Sequence, residues 1–188
     1  NYDDPCFPGW CRTQLANGQW TRLDQLVKGD RLSTGGTIKC VVKTVTNGVA
    51  TLVNIDHLWI TPYHPIRVKA TTVQRIPSRL QRQPQGLKWS RPRNKVRVRP
   101  AKYAFPCEFA PVVDQACPAI YSFVLTDKHI MNVEGYDCVT LGHHFQEDKA
   151  RHDYLGTHAV IRDLSVLPGY DEGLLEFNTG CLLRSKRT

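Results

Sequence analysis

The chain has 188 residues, 25 Lys and Arg against 17 Asp and Glu, and a formal net charge of +8. That length suits one domain, or one with a small appendage, and is enough to bury a core. No apolar run approaches the roughly 20 residues of a membrane helix, and no charged segment leads into an apolar stretch as a secretion signal does. The chain starts at Asn1 and its only methionine is Met131, so it reads as a piece of a longer protein. Seven cysteines are an odd number, with no Cys-x2-Cys pair. That argues against a fully paired disulfide framework and leans toward reduced thiols in an intracellular setting. A monomer without membrane contact is expected.

In chain order, Leu23–Leu26 reads as a short helical turn. Ile38–Val45 alternates as a strand and runs into Asn47-Gly48, a strong hairpin signal, which makes Ala50–Ile55 its expected partner. Leu58–Ile60 and Ile66–Val68 are strands on either side of a Thr61-Pro62-Tyr63-His64-Pro65 corner. Tyr121–Leu125 and Ile130–Val133 flank a Thr-Asp-Lys turn. Apolar residues at 155, 159, 160, 164 and 167 predict a helix over Tyr154–Leu167, stopped by Pro168-Gly169. From Gly180 a frayed tail is expected. Short strands with frequent turn signals indicate an all-β sandwich or barrel-like fold.

The charge is local. Residues 70–106 hold ten Lys and Arg, from Arg75 to Lys102, and no acid, which leaves −2 for the rest of the chain. Pro77, Pro84, Pro92 and Pro100 break helices there, so most of the segment reads as an extended loop, with one strand at Lys95–Arg99. Its plain role is a solvated surface loop. The other reading is a contact for an acidic protein partner, or nucleic acid, through residues 75–102; Trp89 is the one aromatic available there for stacking bases.

Three stretches carry a resemblance. They are CFPGWCRTQLANGQWTRLDQLVKGDRL (6–32), HLWITPYHPIRV (57–68) and AIYSFVLTDKHIMNVEGYDCVTLGHHF (119–145). In this order and spacing they resemble the Hint superfamily of hedgehog autoprocessing domains and inteins, and most closely its Vint branch. HDYLGTHAVIRDLSVLPGYDEG resembles the continuation of that branch. The resemblance implies a mainly β, horseshoe-shaped fold with a short C-terminal helical extension. It divides the chain into an upstream flank (1–5), the Hint domain (6–145, with the basic insertion at 70–106) and the extension (146–188).

It also implies a site. Cys6 would attack the carbonyl of Pro5 and turn the amide into a thioester. Such a step requires some thiolate, against an ordinary thiol pKa of about 8.5, donors for the oxyanion, and a proton for the departing nitrogen. The family's Thr-x-x-His motif gives these last roles to Thr61 and His64. Asp127-Lys128-His129 resembles an acidic-and-His stretch of inteins, which implies a supporting part for His129, beside the reading of a surface turn. Cys138 falls where hedgehog domains carry a late cysteine; an acyl relay, a redox lock with Cys6 and plain packing stay open. His143 or His144 is expected to line the site. Ser122 stands in IYSF where many inteins have an Asp.

Splicing requires a terminal Asn or Gln; here VTLGHHF runs on without one. The expected activity is therefore autocatalytic cleavage by an N-to-S acyl shift at Pro5–Cys6, with the chain's own upstream segment as substrate. Water, a thiol or an amine would resolve the thioester. No cofactor and no metal are expected, since Cys-x4-Cys is not a zinc pattern by itself. The alternative is a silent Hint-fold interaction module.

Overall fold

The computed structural model describes residues 4–68 and 102–178. The strands are β1 (Phe7–Pro8), β2 (Arg12–Gln14), β3 (Trp20–Arg22), β4 (Ile38–Val45), β5 (Val49–Ile55), β6 (Leu58–Ile60), β7 (Ile66–Val68), β8 (Lys102–Ala104), β9 (Val112–Ala116), β10 (Ala119–Leu125), β11 (Ile130–Val133), β12 (Tyr136–Val139) and β13 (Leu174–Asn178). The α-helix among the described residues is α1 (His158–Ser165). The fold is all-β, as the sequence indicates. The Lys95–Arg99 strand, the tail from Gly180 and residues 70–101 of the basic segment lie outside the described residues.

Three sheets form, in the orders β1-β10-β4-β13, β3-β2-β11-β12-β7-β8 and β6-β5-β9. A bent ribbon links the first and third. β4 pairs antiparallel with β10, where Val45 lies opposite Ala119, and β5 pairs antiparallel with β9, where Val49 lies opposite Ala116. Asn47-Gly48 therefore makes a kink and not the expected hairpin: β4 and β5 do not pair with each other. Three residues (46–48) on one arm face two (117–118) on the other, a bulge-like mismatch that bends a ribbon. Gly48 takes φ +101° at the bend, and Thr46 N–H and Cys117 N–H close it on Pro118 O and Gly48 O.

The apolar faces meet in one main core that includes Phe7, Leu23, Leu58, Ile60, Ile66, Phe123 and Met131. A second core lies under the C-terminal extension, where Leu155, Val160, Leu164, Tyr170 and Leu175 cover Cys40, Val42, Val124 and Leu141. The extension is more than helical. β13 adds to the first sheet, parallel to β4, with Leu174 opposite Val41.

The helix is shorter than its apolar spacing suggests. His152 Nδ1 accepts hydrogen bonds from Tyr154 N–H and Leu155 N–H, which holds that stretch in turns. Thr157 then caps the helix, its Oγ1 accepting from Ala159 N–H at 3.2 Å.

The helix sits hard against the backbone that leads to His143. Gly142 has φ +67°, and a Cβ there would lie 2.7 Å from Ile161 Cγ1. Substituting Gly142→Ala is expected to cost about 1–3 kcal/mol from crowding and left-handed backbone strain. Urea unfolding checks it; an unchanged midpoint would show that helix and loop can separate freely.

Candidate functional site

Register puts the site together. Phe7 lies opposite Tyr121 and Pro8 opposite Ile120 in the β1–β10 pair, so continuing the ladder one step brings Cys6 to Ser122. Cys6 Sγ is 3.1 Å from Ser122 Oγ, and the same hydroxyl donates a short hydrogen bond to Pro5 O. A hydroxyl has one proton to give. Ser122 therefore donates to the carbonyl and accepts from the Cys6 thiol.

Thr61 holds the other side of the same peptide bond. Its Oγ1 accepts from Cys6 N–H at 3.0 Å and donates to Asp4 O at 2.8 Å, while its own N–H donates to Cys6 O at 3.0 Å. The Pro5–Cys6 peptide is thus gripped at its N–H by one hydroxyl and at its carbonyl by another. Gly9 lets β1 come in this close: a Cβ there would stand 2.7 Å from the Asp24 Cβ and 2.9 Å from the Tyr121 ring.

His64 follows in the turn that Thr61 begins, where His64 N–H donates to Thr61 O. Its ring packs on Phe7 with centroids 4.4 Å apart. Nε2 lies 2.7 Å from Val139 O; a carbonyl only accepts, so Nε2 carries the proton. Nδ1 is buried with no hydrogen-bond partner, and the Cys6 backbone lies close enough to influence its charge. Burial pushes the His64 pKa down to about 4. At neutral pH the imidazole is therefore uncharged, with its lone pair on Nδ1.

Burial also pushes the Cys6 thiol up to about 12, only partly offset by the Ser122 hydrogen bond. The sulfur lies in a pocket of about 30 Å³ walled by Asp4, Pro5, Val42, Ser122 and Leu141, and by Leu155, Val160 and Leu164 of the extension. That is room for about one water. At rest, then, Cys6 is a protonated thiol.

His143 is buried nearby. Its Nδ1 accepts from Phe145 N–H at 2.9 Å and its ring stacks on Phe145. Burial, and then His129 and His144, lower its pKa to about 4. His129 belongs to this second histidine group and not to the Cys6 clamp. Its Nδ1 is buried without a partner, and burial and then His144 push its pKa down. Cys138 sits in the main core, its thiol directed at Tyr136 O at 3.4 Å and near Cys11. It contributes no contact to the Cys6 clamp, and all six described cysteines are free, so a Cys6–Cys138 disulfide is not formed. Among the described residues, no group of three or more His, Cys, Asp or Glu side chains is arranged to hold a metal ion.

Of the two residues expected from the motif, Thr61 hydrogen-bonds Cys6 directly and His64 packs on the neighbouring Phe7. The residue that sequence reasoning missed is Ser122. Its only signal was its place in a strand at a position where the resembling proteins carry an acid.

The Vint family model, described as a Hint-domain, matches residues 5–88 and 89–188. The chain belongs to this family. The first matched residue, Pro5, is the acyl side of the clamped peptide. No curated protein matches the chain. Membership in a Hint-domain family supports an autoprocessing type of function in general, and it accounts for the all-β architecture.

His64 makes the Vint domain sensitive to acid. Its folded pKa of about 4 lies below the ordinary 6.5, so between those values the unfolded chain binds more protons. Stability therefore falls as pH drops from about 6.5 to about 4, by on the order of 3 kcal/mol for His64, and His143 acts in the same direction. Urea unfolding at pH 7 and pH 4.5 should show this loss, and His64→Phe should shrink it. An identical pH slope in the variant would mean that the imidazole is not buried neutral.

Proposed function

We propose that this Vint domain cleaves its own chain at Pro5–Cys6 by an N-to-S acyl shift, without splicing, and that an external nucleophile resolves the thioester. The observation that carries the reading is the two-sided grip. Ser122 Oγ bonds both the Cys6 sulfur and the Pro5 carbonyl, while Thr61 Oγ1 bonds the Cys6 N–H.

The step balances as follows. Cys6 Sγ bonds to the Pro5 carbonyl carbon, the Pro5–Cys6 C–N bond breaks, and the thiol proton ends on the Cys6 nitrogen as a free amine. Ser122 faces the developing oxyanion as a donor, a contact of the kind that is worth roughly 10²–10³ in rate. Neutral His64, with Nδ1 unprotonated, is set to accept the proton and hand it to the leaving nitrogen. In the second step the nucleophile loses its proton to sulfur as the thioester carbon leaves it. The domain turns over once.

Two features make the reaction slow. Proline at position 5 crowds its own carbonyl, and the buried thiol gives up its proton reluctantly. This second feature also favours the alternative, a silent Hint-fold interaction module. In that case the clamp is only structural, and the basic segment around residues 75–102 holds an acidic partner.

Incubation of the purified protein with a strong thiol, followed by intact-mass analysis, separates the two. Loss of residues 1–5 is expected. Cys6→Ala should abolish it, and Ser122→Ala should slow it by about 100-fold. The rate should climb steadily from pH 7 to pH 10, because the thiolate population grows toward a pKa of about 12. No change in mass at any pH would leave the interaction module as the reading.

A further inference from the structure

A cleft of about 160 Å³ has Pro5 in its lining. Pro5 lines both this cleft and the small pocket that holds Cys6 Sγ. The acyl residue is therefore the wall shared by the two spaces. Much of the lining is apolar: Tyr63, Pro65 and Phe105, with Ala150 and Leu155 of the extension. Its lining also includes Thr140 and His143, both more than nine-tenths buried. Thr140 Oγ1 has no hydrogen-bond partner. Leaving a buried hydroxyl unpaired is unfavourable, a penalty that a bound polar atom would remove. The two cations in the lining are each paired, Lys149 with Glu108 and Arg151 with Asp153 at 3.5 Å.

We propose that this cleft binds the nucleophile that resolves the acyl group: a compact, uncharged molecule with an apolar body and one thiol or hydroxyl. The proposal rests on the acyl-shift reading above. Size sets the class. A cavity of about 150 Å³ accommodates benzene, so the cleft suits a body of one ring and not a peptide or a polycyclic lipid. Charge sets it too, since paired rim charges offer little to an anion and an apolar wall disfavours a cation.

Direction follows from tautomer. His143 Nδ1 is taken by Phe145 N–H, so its proton is on Nε2 and it acts as a donor. Thr140 can both give and accept. The nucleophile's heteroatom bonds to the Pro5 carbonyl carbon, the carbon–sulfur bond breaks, and the nucleophile's proton passes to Cys6 Sγ to restore the thiol. No oxidant or cofactor enters.

Benzyl mercaptan, glutathione and benzyl alcohol test the assignment on the full chain. Cleavage by benzyl mercaptan should saturate with concentration, and glutathione, too large and charged, should cleave at least tenfold more slowly at equal thiolate concentration. Thr140→Val should raise KM for benzyl mercaptan about three- to tenfold, the loss of one hydrogen bond, with a smaller change in kcat. Benzyl alcohol should shift the amide resonances of Thr140, His143 and Ala150 in the wild type. Cleavage that is linear in both thiols and equal between them, with no such shifts, would overturn the cleft while leaving the acyl shift intact. Shifts without any cleavage would keep the cleft as a binding site and overturn the acyl shift.

Discussion

One hydroxyl, that of Ser122, ties the Cys6 thiol to the Pro5 carbonyl. It accepts from the Cys6 thiol and donates to the Pro5 carbonyl. Everything around it serves to fix that contact. β10 carries Ser122 at the centre of a sheet, where β4 on one side and β1 on the other fix its register. The β1 edge can lie flat because Gly9 has no side chain to strike Asp24 or Tyr121. Thr61 then closes the grip from a different sheet and sets the N–H end of the same peptide. A hydrogen-bonded group held by packed strands loses little further entropy when it acts, which is what preorganisation means physically.

The same packing that positions the site also holds it closed. Cys6 and His64 are both sealed from water, and burial favours the neutral form of each. A thiol near 12 and an imidazole near 4 make the thiolate–imidazolium pair unfavourable at rest. Water entering the pocket beside Cys6 would relieve the thiol, and Leu155, Val160 and Leu164 form part of that pocket's wall. The extension therefore bears on the ionisation of the thiol through solvation, with apolar side chains alone.

Local signals in the sequence were readable where period and turn residues decide structure. The strands Ile38–Val45, Leu58–Ile60, Ile66–Val68 and Ile130–Val133 have the bounds their patterns suggest. Pairing was less readable. Asn47-Gly48 has hairpin chemistry, yet β9–β10 supplies a longer partner and turns it into a kink. Val112–Ala116 is mostly exposed at a sheet edge and carries Asp114 in its middle, so no buried face marks it. β13 pairs in parallel across more than 130 residues, which local pattern cannot show. At the site, Cys6, Thr61 and His64 came from motif chemistry. Ser122 did not, because a serine in a strand means nothing until register puts it against a particular sulfur.

The place of the extension explains why the chain runs on past His143 and His144. β4 would otherwise be a sheet edge, with unpaired N–H and C=O groups, and Val42, Val124 and Leu141 would face water. β13 pairs the edge and α1 covers the apolar face. To reach that position the backbone turns sharply at Gly142, which lets Ile161 approach and directs His143 inward beside Thr140. Covering the sheet and shaping a cleft against Pro5 are thus two results of one turn. A domain that ended at His144 would lose both: the pocket beside Cys6 would lose Leu155, Val160 and Leu164, and the cleft against Pro5 would lose Ala150 and Leu155.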